Sequence, residues 1–399
     1  MNDFNNQLLA SLKRQMESID IYKKMCEKCG LSSPADIERT IESADWAALP
    51  AISDRMFKRS VGLFSKLKYN VPGLWHVSSS TSGDPSYVWR TEQDEKVIQE
   101  SYASCYRKAK AGIDIMLGFA PGMSMLDRMS KRYDLADGTT TKVQSILPTL
   151  AAKEVAKKQY VDMIKINIPK TIWQTKVKKI PRPVLELKTK DLQAALTTAA
   201  TSGLSIVFGA SVIFIDQVLR SGASFPIAKD VLVLTGAGGW DGSKGALQAK
   251  PIDKPAFIEN ACKILGIPGS EAESRFWDNY GVTEKAFSCI GHWDAARKDY
   301  VYSTEGISPE TKVIAVDLVT GDLVKNGKGV IRLISPFGNE GAATAIMQES
   351  DEITVLSTNK DGSIKEFMAI KRISVKDQAG EESVDKIGCA GHLGNVEIK

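Results

Sequence analysis

Cysteine, histidine and net charge are all scarce in this sequence of 399 residues. The chain has six cysteines, at positions 26, 29, 105, 262, 289 and 389, and three histidines. Cysteines scattered in this way do not form the pattern of a disulfide framework, so we expect reduced thiols. The 52 Lys and Arg residues outnumber the 48 Asp and Glu residues by four. A surplus this small argues against the strongly basic surface of a nucleic-acid-binding protein, so we expect no nucleic-acid partner.

A secretory signal and a membrane-spanning run are also missing from the sequence. The chain begins MNDFNNQLLASLKRQM, where no charged segment precedes an apolar one, so we expect a cytoplasmic protein. The longest uncharged stretch, 192–215, contains seven Gln, Thr and Ser residues and two glycines, Gly203 and Gly209. This stretch predicts a helix, a glycine stop and a buried strand, and not a membrane span.

Hydrophobic residues make up 43% of the chain and charged residues 25%, values typical of a globular protein that exclude a disordered or collagen-like chain. Residues 1–50 predict helices, because apolar side chains recur there at helical spacing and 33–38 reads as a capped helix start. From about residue 95, amphipathic stretches alternate with short apolar runs at 113–120, 204–211, 231–236 and 312–319. This alternation predicts an α/β fold with largely buried strands.

The C-terminal part of the sequence is rich in turn signals. Gly321–Asp322, Asn326–Gly327 and Asp361–Gly362 are each typical of a β-hairpin. We expect a large mixed domain over residues 1–350 and a short C-terminal lobe over residues 351–399.

A first candidate site is the hydroxyl-rich segment that ends at Gly83. Its five consecutive hydroxyl side chains belong to Ser78, Ser79, Ser80, Thr81 and Ser82. Hydroxyl groups and backbone N–H groups in such a loop are good ligands for phosphate oxygens. The segment lacks the Gly-Lys-Ser/Thr of a Walker A loop, and a polar surface loop is the alternative interpretation.

A second candidate site lies at 277–284, about 40 residues after the apolar run 231–236. Tyr280 offers an aromatic face to a base, Gly281 allows close approach, Thr283 offers a hydroxyl to a phosphate, and Glu284 offers a carboxylate to Mg²⁺. The alternative is a strand-end turn with a capping threonine.

Together these segments resemble the signature of the adenylate-forming acid:ligase superfamily, which includes acyl-CoA synthetases and nonribosomal peptide synthetase adenylation domains. The family's loop, Ser-Ser-Gly-Thr-Thr-Gly-x-Pro-Lys, corresponds to residues 78–86, with Ser80 at the first glycine and Ser86 at the lysine. The family's Tyr-Gly-x-Thr-Glu element matches at all its fixed positions, Tyr280, Gly281, Thr283 and Glu284.

The resemblance implies further nucleotide contacts. Asp351 takes the place of the family's ribose-binding aspartate, with Asp322 as the alternative, and Arg372 resembles a nucleotide contact beside the family's hinge. Gly238 and Gly239 would let the backbone approach the nucleotide and the acid.

Within the superfamily, the sequence is most similar to the LuxE-type acyl-protein synthetases and phenazine-acid ligases, and more distantly to phenylacetate–CoA ligases. The missing loop lysine implies a weaker grip on pyrophosphate. Only 48 residues follow Asp351, fewer than the family's usual C-terminal lid with its catalytic lysine, so no such lysine is assigned.

The resemblance implies that a fatty or aromatic carboxylic acid is activated with ATP and Mg²⁺ as an acyl-adenylate. The acyl group would then pass to a thiol or amine acceptor, which could be CoA, an amine or an acyl-acceptor protein. In the LuxE-type branch the acceptor is a cysteine near the C-terminus, and Cys389 is the cysteine of this chain in that region.

Two other functions stay open at this stage. A catalytically inactive binding subunit could keep the fold, because Ser80 and Ser86 replace the family's glycine and lysine. An NAD-dependent oxidoreductase is a third hypothesis, because a glycine-rich run follows the strand predicted at 231–236. The pair Cys26 and Cys29 could be half of a metal site, but helical packing is the preferred interpretation.

Overall fold

A computed structural model describes residues 3–59, 63–64, 72–77, 86–121, 142–143, 146–167, 184–210, 212–221, 228–236, 238–244, 247–248, 250–282, 284–373 and 397–398. Within these ranges the α-helices, numbered in chain order, are α1 Asp3–Ser18, α2 Asp20–Lys28, α3 Pro34–Glu42, α4 Met56–Arg59, α5 Glu92–Ala109, α6 Ile146–Val155, α7 Thr189–Ser202, α8 Val212–Arg220, α9 Lys254–Leu265 and α10 Ala272–Arg275. Two short 3₁₀ helices cover Trp46–Ala48 and Gly269–Glu271.

The strands of the same ranges are β1 Ile52–Ser53, β2 Leu74–Val77, β3 Tyr87–Arg90, β4 Ile115–Pro121, β5 Lys142–Val143, β6 Gln159–Asn167, β7 Val184–Leu187, β8 Ser205–Ala210, β9 Asp230–Gly236, β10 Ser243–Lys244, β11 Leu247–Gln248, β12 Phe276–Gly281, β13 Ser288–Asp294, β14 Asp299–Ser303, β15 Lys312–Val316, β16 Gly327–Ile334, β17 Ile346–Thr358, β18 Ile364–Arg372 and β19 Glu397–Ile398.

A large mixed sheet organises the molecule. Its strands lie in the order β15-β16-β17-β18-β14-β13-β12-β9-β8-β4-β6-β7-β19, and β1 pairs with β17. The strands β6, β4, β8, β9 and β12 run parallel to one another, whereas β7 pairs antiparallel with β6. From β12 to β15 each strand pairs antiparallel with the next. The mixed α/β class predicted from the sequence is thus the observed one.

The N-terminal region folds into helices as its apolar spacing predicts. Helix α3 begins with a capping box in which Ser33 accepts from the N–H of Asp36 and the Asp36 carboxylate accepts from the N–H of Ser33. Pro34 occupies the first turn, where a missing N–H costs nothing. A cap of this kind stabilises a helix by about 1 kcal/mol.

The four apolar runs of the sequence all become strands. They form β4, β8, β9 and β15, although β15 ends at Val316, where a turn begins. The stretch 192–215 is divided as predicted, because α7 stops at Gly203 in the left-handed conformation and β8 follows. No helix within the described ranges is long and apolar enough to cross a membrane.

The predicted turn glycines all have positive φ angles, which glycine adopts without strain. Gly321 lies between β15 and β16, and Gly362 lies between β17 and β18, so both belong to hairpin connections. Strand β17 runs through residues 350 and 351, where the sequence predicts a domain boundary. Because β17 and β18 both belong to the large sheet, this strand crosses the position of the predicted boundary, and the two-domain division itself stays a prediction.

Candidate functional site

The candidate site lies where two neighbouring parallel strands end. Strands β9 and β12 pair in register, with Gly236 opposite Asn279. Gly238 and Gly239 therefore follow one strand while Tyr280 and Gly281 end the other. In open parallel sheets ligands bind at the carboxyl ends of the strands, so this edge is the expected position of a binding site.

Asp351 is the centre of a hydrogen-bonded network at this edge. The Tyr280 hydroxyl donates to Asp351 Oδ2 at 2.8 Å. Arg372 Nη1 lies 3.3 Å from both Asp351 oxygens, and its Nη2 donates to Asp54 Oδ2 at 2.5 Å. The structure thus places three of the residues predicted for nucleotide binding, Tyr280, Asp351 and Arg372, in direct contact.

Tyr280 is held on its other sides by aromatic rings. The ring centroids of Phe287, Phe367 and Tyr302 lie 6.0, 6.3 and 6.4 Å from that of Tyr280, each in an edge-on arrangement. Burial and the negative charge of Asp351 raise the pKa of Tyr280 well above its usual value. Its hydroxyl is therefore protonated at neutral pH and available as a donor.

Asp54 and Ser350 support this network from behind. The Ser350 hydroxyl donates to Asp54 Oδ1 at 2.7 Å, and Arg55 Nε donates to the Ser350 oxygen at 3.3 Å. Asp54 is fully buried, so its charge needs the guanidinium of Arg372 for compensation. Nothing in the sequence near Asp54 signals this role.

Glu284 and Glu349 add two buried carboxyl groups. Glu284 is 7% exposed and Glu349 is 2% exposed. Burial and the charges of Glu284, Asp54 and Asp351 raise the pKa of Glu349 well above its usual value, and Arg372 offsets only part of this effect. Among the described residues, none forms a hydrogen bond with the buried Glu349 Oε1.

Two buried basic groups, Arg90 and Lys285, interact electrostatically with these carboxyl groups. Burial lowers the pKa of Arg90 to about 10, against the opposing charges of Asp94, Tyr102, Glu95 and Glu284. Burial also lowers the pKa of Lys285 to about 7, against the charges of Asp94 and Glu349. Arg90 interacts with Glu284, and Lys285 follows Glu284 directly in the sequence. Neither residue was predicted from the sequence.

The acidic groups fit a divalent cation only in company with phosphate. Among the described residues, no three His, Cys, Asp or Glu side chains are grouped so as to hold a metal ion. Mg²⁺ commonly binds one or two carboxylates and completes its octahedron with phosphate oxygens and water. Glu284 is buried and its charge is felt by Glu349, and this single carboxylate is compatible with that kind of site.

Glycine stands at the predicted site positions 238, 239 and 281 for different structural reasons. A Cβ on Gly281 would meet the Tyr102 hydroxyl oxygen at 2.7 Å, so the observed close approach is to helix α5. Gly238 and Gly239 have φ angles of 69° and 102°, and a Cβ on Gly238 would meet no atom of the described residues within 4 Å.

Several predicted residues lie outside the described ranges. They are Ser78, Ser79, Ser80, Thr81, Ser82, Gly83, Thr283 and Cys389. The flanking residues are described: His76 Nε2 lies 2.5 Å from Glu95 Oε1, and Ser86 is fully buried just before β3.

The structure also places two alternative candidates from the sequence analysis, Asp322 and the pair Cys26 and Cys29. Asp322 is exposed in the connection between β15 and β16, where its carbonyl oxygen accepts from the N–H of Asp317 at 2.9 Å. Cys26 is buried on α2, whereas Cys29 is exposed just after the helix, and both are free thiols. Among the described residues, Asp351 contacts other predicted site residues, and no such contact is seen for Asp322.

Glu349 and Lys285 were missed, although the sequence contains a signal for each. Glu349 precedes Asp351 by only two residues and lies on the same strand, β17. Lys285 directly follows Glu284.

No protein-family model and no curated protein matches the sequence. Among solved structures, 2-hydroxyisobutyryl-CoA ligase in complex with 2-HIB-AMP and CoA is similar, with a TM-score of 0.54 and 12% identity, over 91% of this chain and 72% of that one. A long-chain-fatty-acid-CoA ligase from Archaeoglobus fulgidus gives a TM-score of 0.44 and 12% identity over 78% and 54% of the two chains. The similarity to the first structure shows that this chain has the fold of the adenylate-forming acid–CoA ligases.

Proposed function

We propose that the protein activates a carboxylic acid with ATP as an acyl-adenylate. The observation that carries this proposal is the network of Tyr280, Asp351 and Arg372 at the carboxyl ends of β9 and β12, together with the charge of Glu284, which acts on Arg372. In a chain with this fold, the network supplies an aromatic ring, an acceptor and a guanidinium at one edge of the sheet.

Each residue has a defined role in this proposal. The Asp351 carboxylate accepts hydrogen bonds from the ribose hydroxyls, and Arg372 orients that carboxylate and faces the nucleotide. Tyr280 flanks the adenine, and Gly238 and Gly239 leave room for the backbone to approach the nucleotide and the acid. The hydroxyl groups of 78–82, the Gly83 backbone and Thr283 bind phosphate oxygens. Glu284 would hold Mg²⁺, which neutralises phosphate charge when it is bound.

The proposed reaction has two steps, formation of the acyl-adenylate and transfer of the acyl group. A carboxylate oxygen attacks the α-phosphorus of ATP, and the bond to the β-phosphate oxygen breaks to release pyrophosphate. A thiol or amine then attacks the acyl carbonyl, loses its proton and displaces AMP. Both reactants of the first step are anionic, so positioned charges and hydrogen-bond donors accelerate it more than acid or base catalysis does.

The acyl acceptor, the branch of the superfamily and the cellular location of the protein are separate proposals. A LuxE-type enzyme would transfer the acyl group to Cys389, because a thiolate is a competent nucleophile towards an acyl-adenylate. ATP with a labelled cognate acid should then leave a hydroxylamine-labile label on the wild type and none on Cys389→Ala. Equal labelling of both proteins would contradict self-acylation and leave CoA, an amine or a partner protein as the acceptor. A cytoplasmic location stays a prediction.

A binding subunit without catalysis is the second candidate function. Ser86 stands at the position of the family's loop lysine, and its neutral hydroxyl offers no cation to pyrophosphate. Such a protein would bind ATP without turning it over.

Pyrophosphate exchange tests the proposal against this alternative. We expect exchange of labelled pyrophosphate into ATP with at least one acid from a panel of fatty and aromatic acids. Glu284→Gln should lower the exchange rate about 10²-fold or more, because it removes a positioned charge. ATP binding without exchange for any acid would support the inactive subunit, and wild-type exchange by Glu284→Gln would contradict the role of Glu284.

A further inference from the structure

The ammonium group of Lys285 is fully buried and is held by three backbone carbonyl groups. Its Nζ donates to the oxygens of Thr344, Ser335 and Ala345 at 2.5, 2.8 and 3.3 Å. All three N–H donors of the ammonium group therefore have an acceptor, and every acceptor belongs to the connection 335–345 between β16 and β17.

The connection 335–345 is held from a second side by Asp94 at the N-terminus of α5. The carboxylate of Asp94 accepts from the N–H groups of Glu340 at 3.0 Å and Gly341 at 2.9 Å. A buried ammonium group and a buried carboxylate thus bind the same connection through its carbonyl and N–H groups. The connection leads directly into β17, which carries Asp351.

Lys285 itself belongs to the tight turn 282–287 that carries Glu284. Within this turn the N–H of Phe287 donates to the Lys285 carbonyl oxygen at 2.8 Å, and the N–H of Val282 donates to the Phe287 carbonyl oxygen at 3.4 Å. The turn also packs closely on the connection, because a Cβ on Gly338 would approach the Ala286 Cβ to 2.4 Å. Lys285 is therefore the polar link between the turn and the connection.

Burying an ammonium group is expensive, and an apolar side chain of similar size often gives equal or greater stability. The position of the lysine points to a role other than packing, since it follows Glu284 immediately and its partners precede β17 by one to eleven residues. We propose that Lys285 is a positioning residue that fixes the turn bearing Glu284 against the strand bearing Asp351. This inference rests on the proposed function, because it assigns Lys285 to the alignment of the two carboxylates that face ATP.

The first test measures the turn itself and needs no ligand. In Lys285→Met, the backbone N–H groups of Val282 and Phe287 should exchange with deuterium faster than in the wild type, because the ammonium link is lost. Lys312→Met is the matched control, since Lys312 is 17% exposed and pairs with Asp361 away from the site. Unchanged exchange of the turn in a folded Lys285→Met protein would overturn the proposal.

The second test measures the alignment through Mg²⁺. Lys285→Met should raise the Mg²⁺ concentration for half-maximal pyrophosphate exchange about 10-fold or more, the effect typical of residues that orient a metal ligand. In a Glu284→Gln background the same substitution should add little, because Lys285 acts through Glu284. If Lys285→Met lowered pyrophosphate exchange equally in the wild-type and the Glu284→Gln protein, Lys285 would have only a structural role.

Different results would contradict the acyl-adenylate function and the positioning role of Lys285. A wild-type protein without pyrophosphate exchange contradicts the proposed function, while deuterium exchange of the turn still decides whether Lys285 fixes it. If Lys285→Met does not fold, Lys285→Gln replaces it, since glutamine keeps two N–H donors but loses the charge. That variant should show the same faster exchange of the turn, and wild-type behaviour would overturn the inference.

Discussion

Asp351 combines two properties that a ribose-binding carboxylate needs. Its oxygens are fixed by the Tyr280 hydroxyl and the Arg372 guanidinium, so the carboxylate is oriented before a ligand arrives. A carboxylate oxygen can accept more than one hydrogen bond, so these contacts leave acceptor capacity for a diol. Asp322 has no comparable setting, because it lies in an exposed turn.

Substitution of the two aspartates should therefore have unequal effects on ATP binding. Asp351→Ala should weaken ATP binding by roughly 1.5–3 kcal/mol, the range for hydrogen bonds to charged groups. Asp322→Ala should leave the affinity close to that of the wild type. Calorimetric titration with ATP compares the three proteins, and a larger loss at Asp322 would contradict the assignment of Asp351.

The site residues could be predicted from the sequence only where the chemistry follows a compact pattern. Tyr280, Gly281, Thr283 and Glu284 form one motif, and the structure places the described members at the end of β12. Asp54 could not be found in this way, because its partner Arg372 lies 318 residues away. Its role depends on tertiary contacts that no local pattern encodes.

At the scale of elements, strand β17 carries both Asp351, the centre of the hydrogen-bonded network, and the buried carboxyl group of Glu349. Glu349 and Asp351 lie two residues apart on β17, and the antiparallel partner β18 brings Arg372 opposite Asp351. Local pattern predicts the helices, the buried strands and the turn glycines well, because spacing and capping are local properties. It did not predict that β17 continues through 350, because the turn-rich texture of the flanking residues suggested a boundary there.

Glu349 should make the stability of the protein depend on pH. Its pKa is raised in the folded protein, so the folded state binds more protons than the unfolded state and stability falls as pH rises above about 4.5, the usual glutamate range. Glu349→Gln removes this dependence. We expect the variant to match the wild type near pH 4 and to exceed its unfolding free energy at pH 8 by roughly 1–3 kcal/mol, the cost of an unsatisfied buried polar group.

Urea unfolding of both proteins between pH 4 and pH 8 measures this difference. Glu352→Gln is the matched control, because Glu352 lies on the same strand with 33% exposure and pairs with Lys328. A difference between Glu349→Gln and the wild type that stays constant with pH would contradict the account.

At the scale of the whole molecule, the parallel part of the sheet and the antiparallel part meet at β12. Gly238 and Gly239 come from the parallel side, and Asp351 and Arg372 come from the antiparallel side, so the candidate site lies where the two arrangements join. The alternation of helices with apolar runs predicts the α/β class. It cannot predict which distant strands become neighbours, because strand order depends on long-range packing.

The most direct test of the central claim follows an oxygen atom through the reaction. If the acid attacks the α-phosphorus of ATP, one oxygen of an ¹⁸O-labelled carboxylate must leave in AMP when the acceptor displaces it. We expect mass spectrometry of a complete reaction to find one ¹⁸O atom in AMP for each acyl group transferred, with unlabelled pyrophosphate. Label in inorganic phosphate together with ADP, or turnover of ATP without label in AMP, would contradict an acyl-adenylate mechanism.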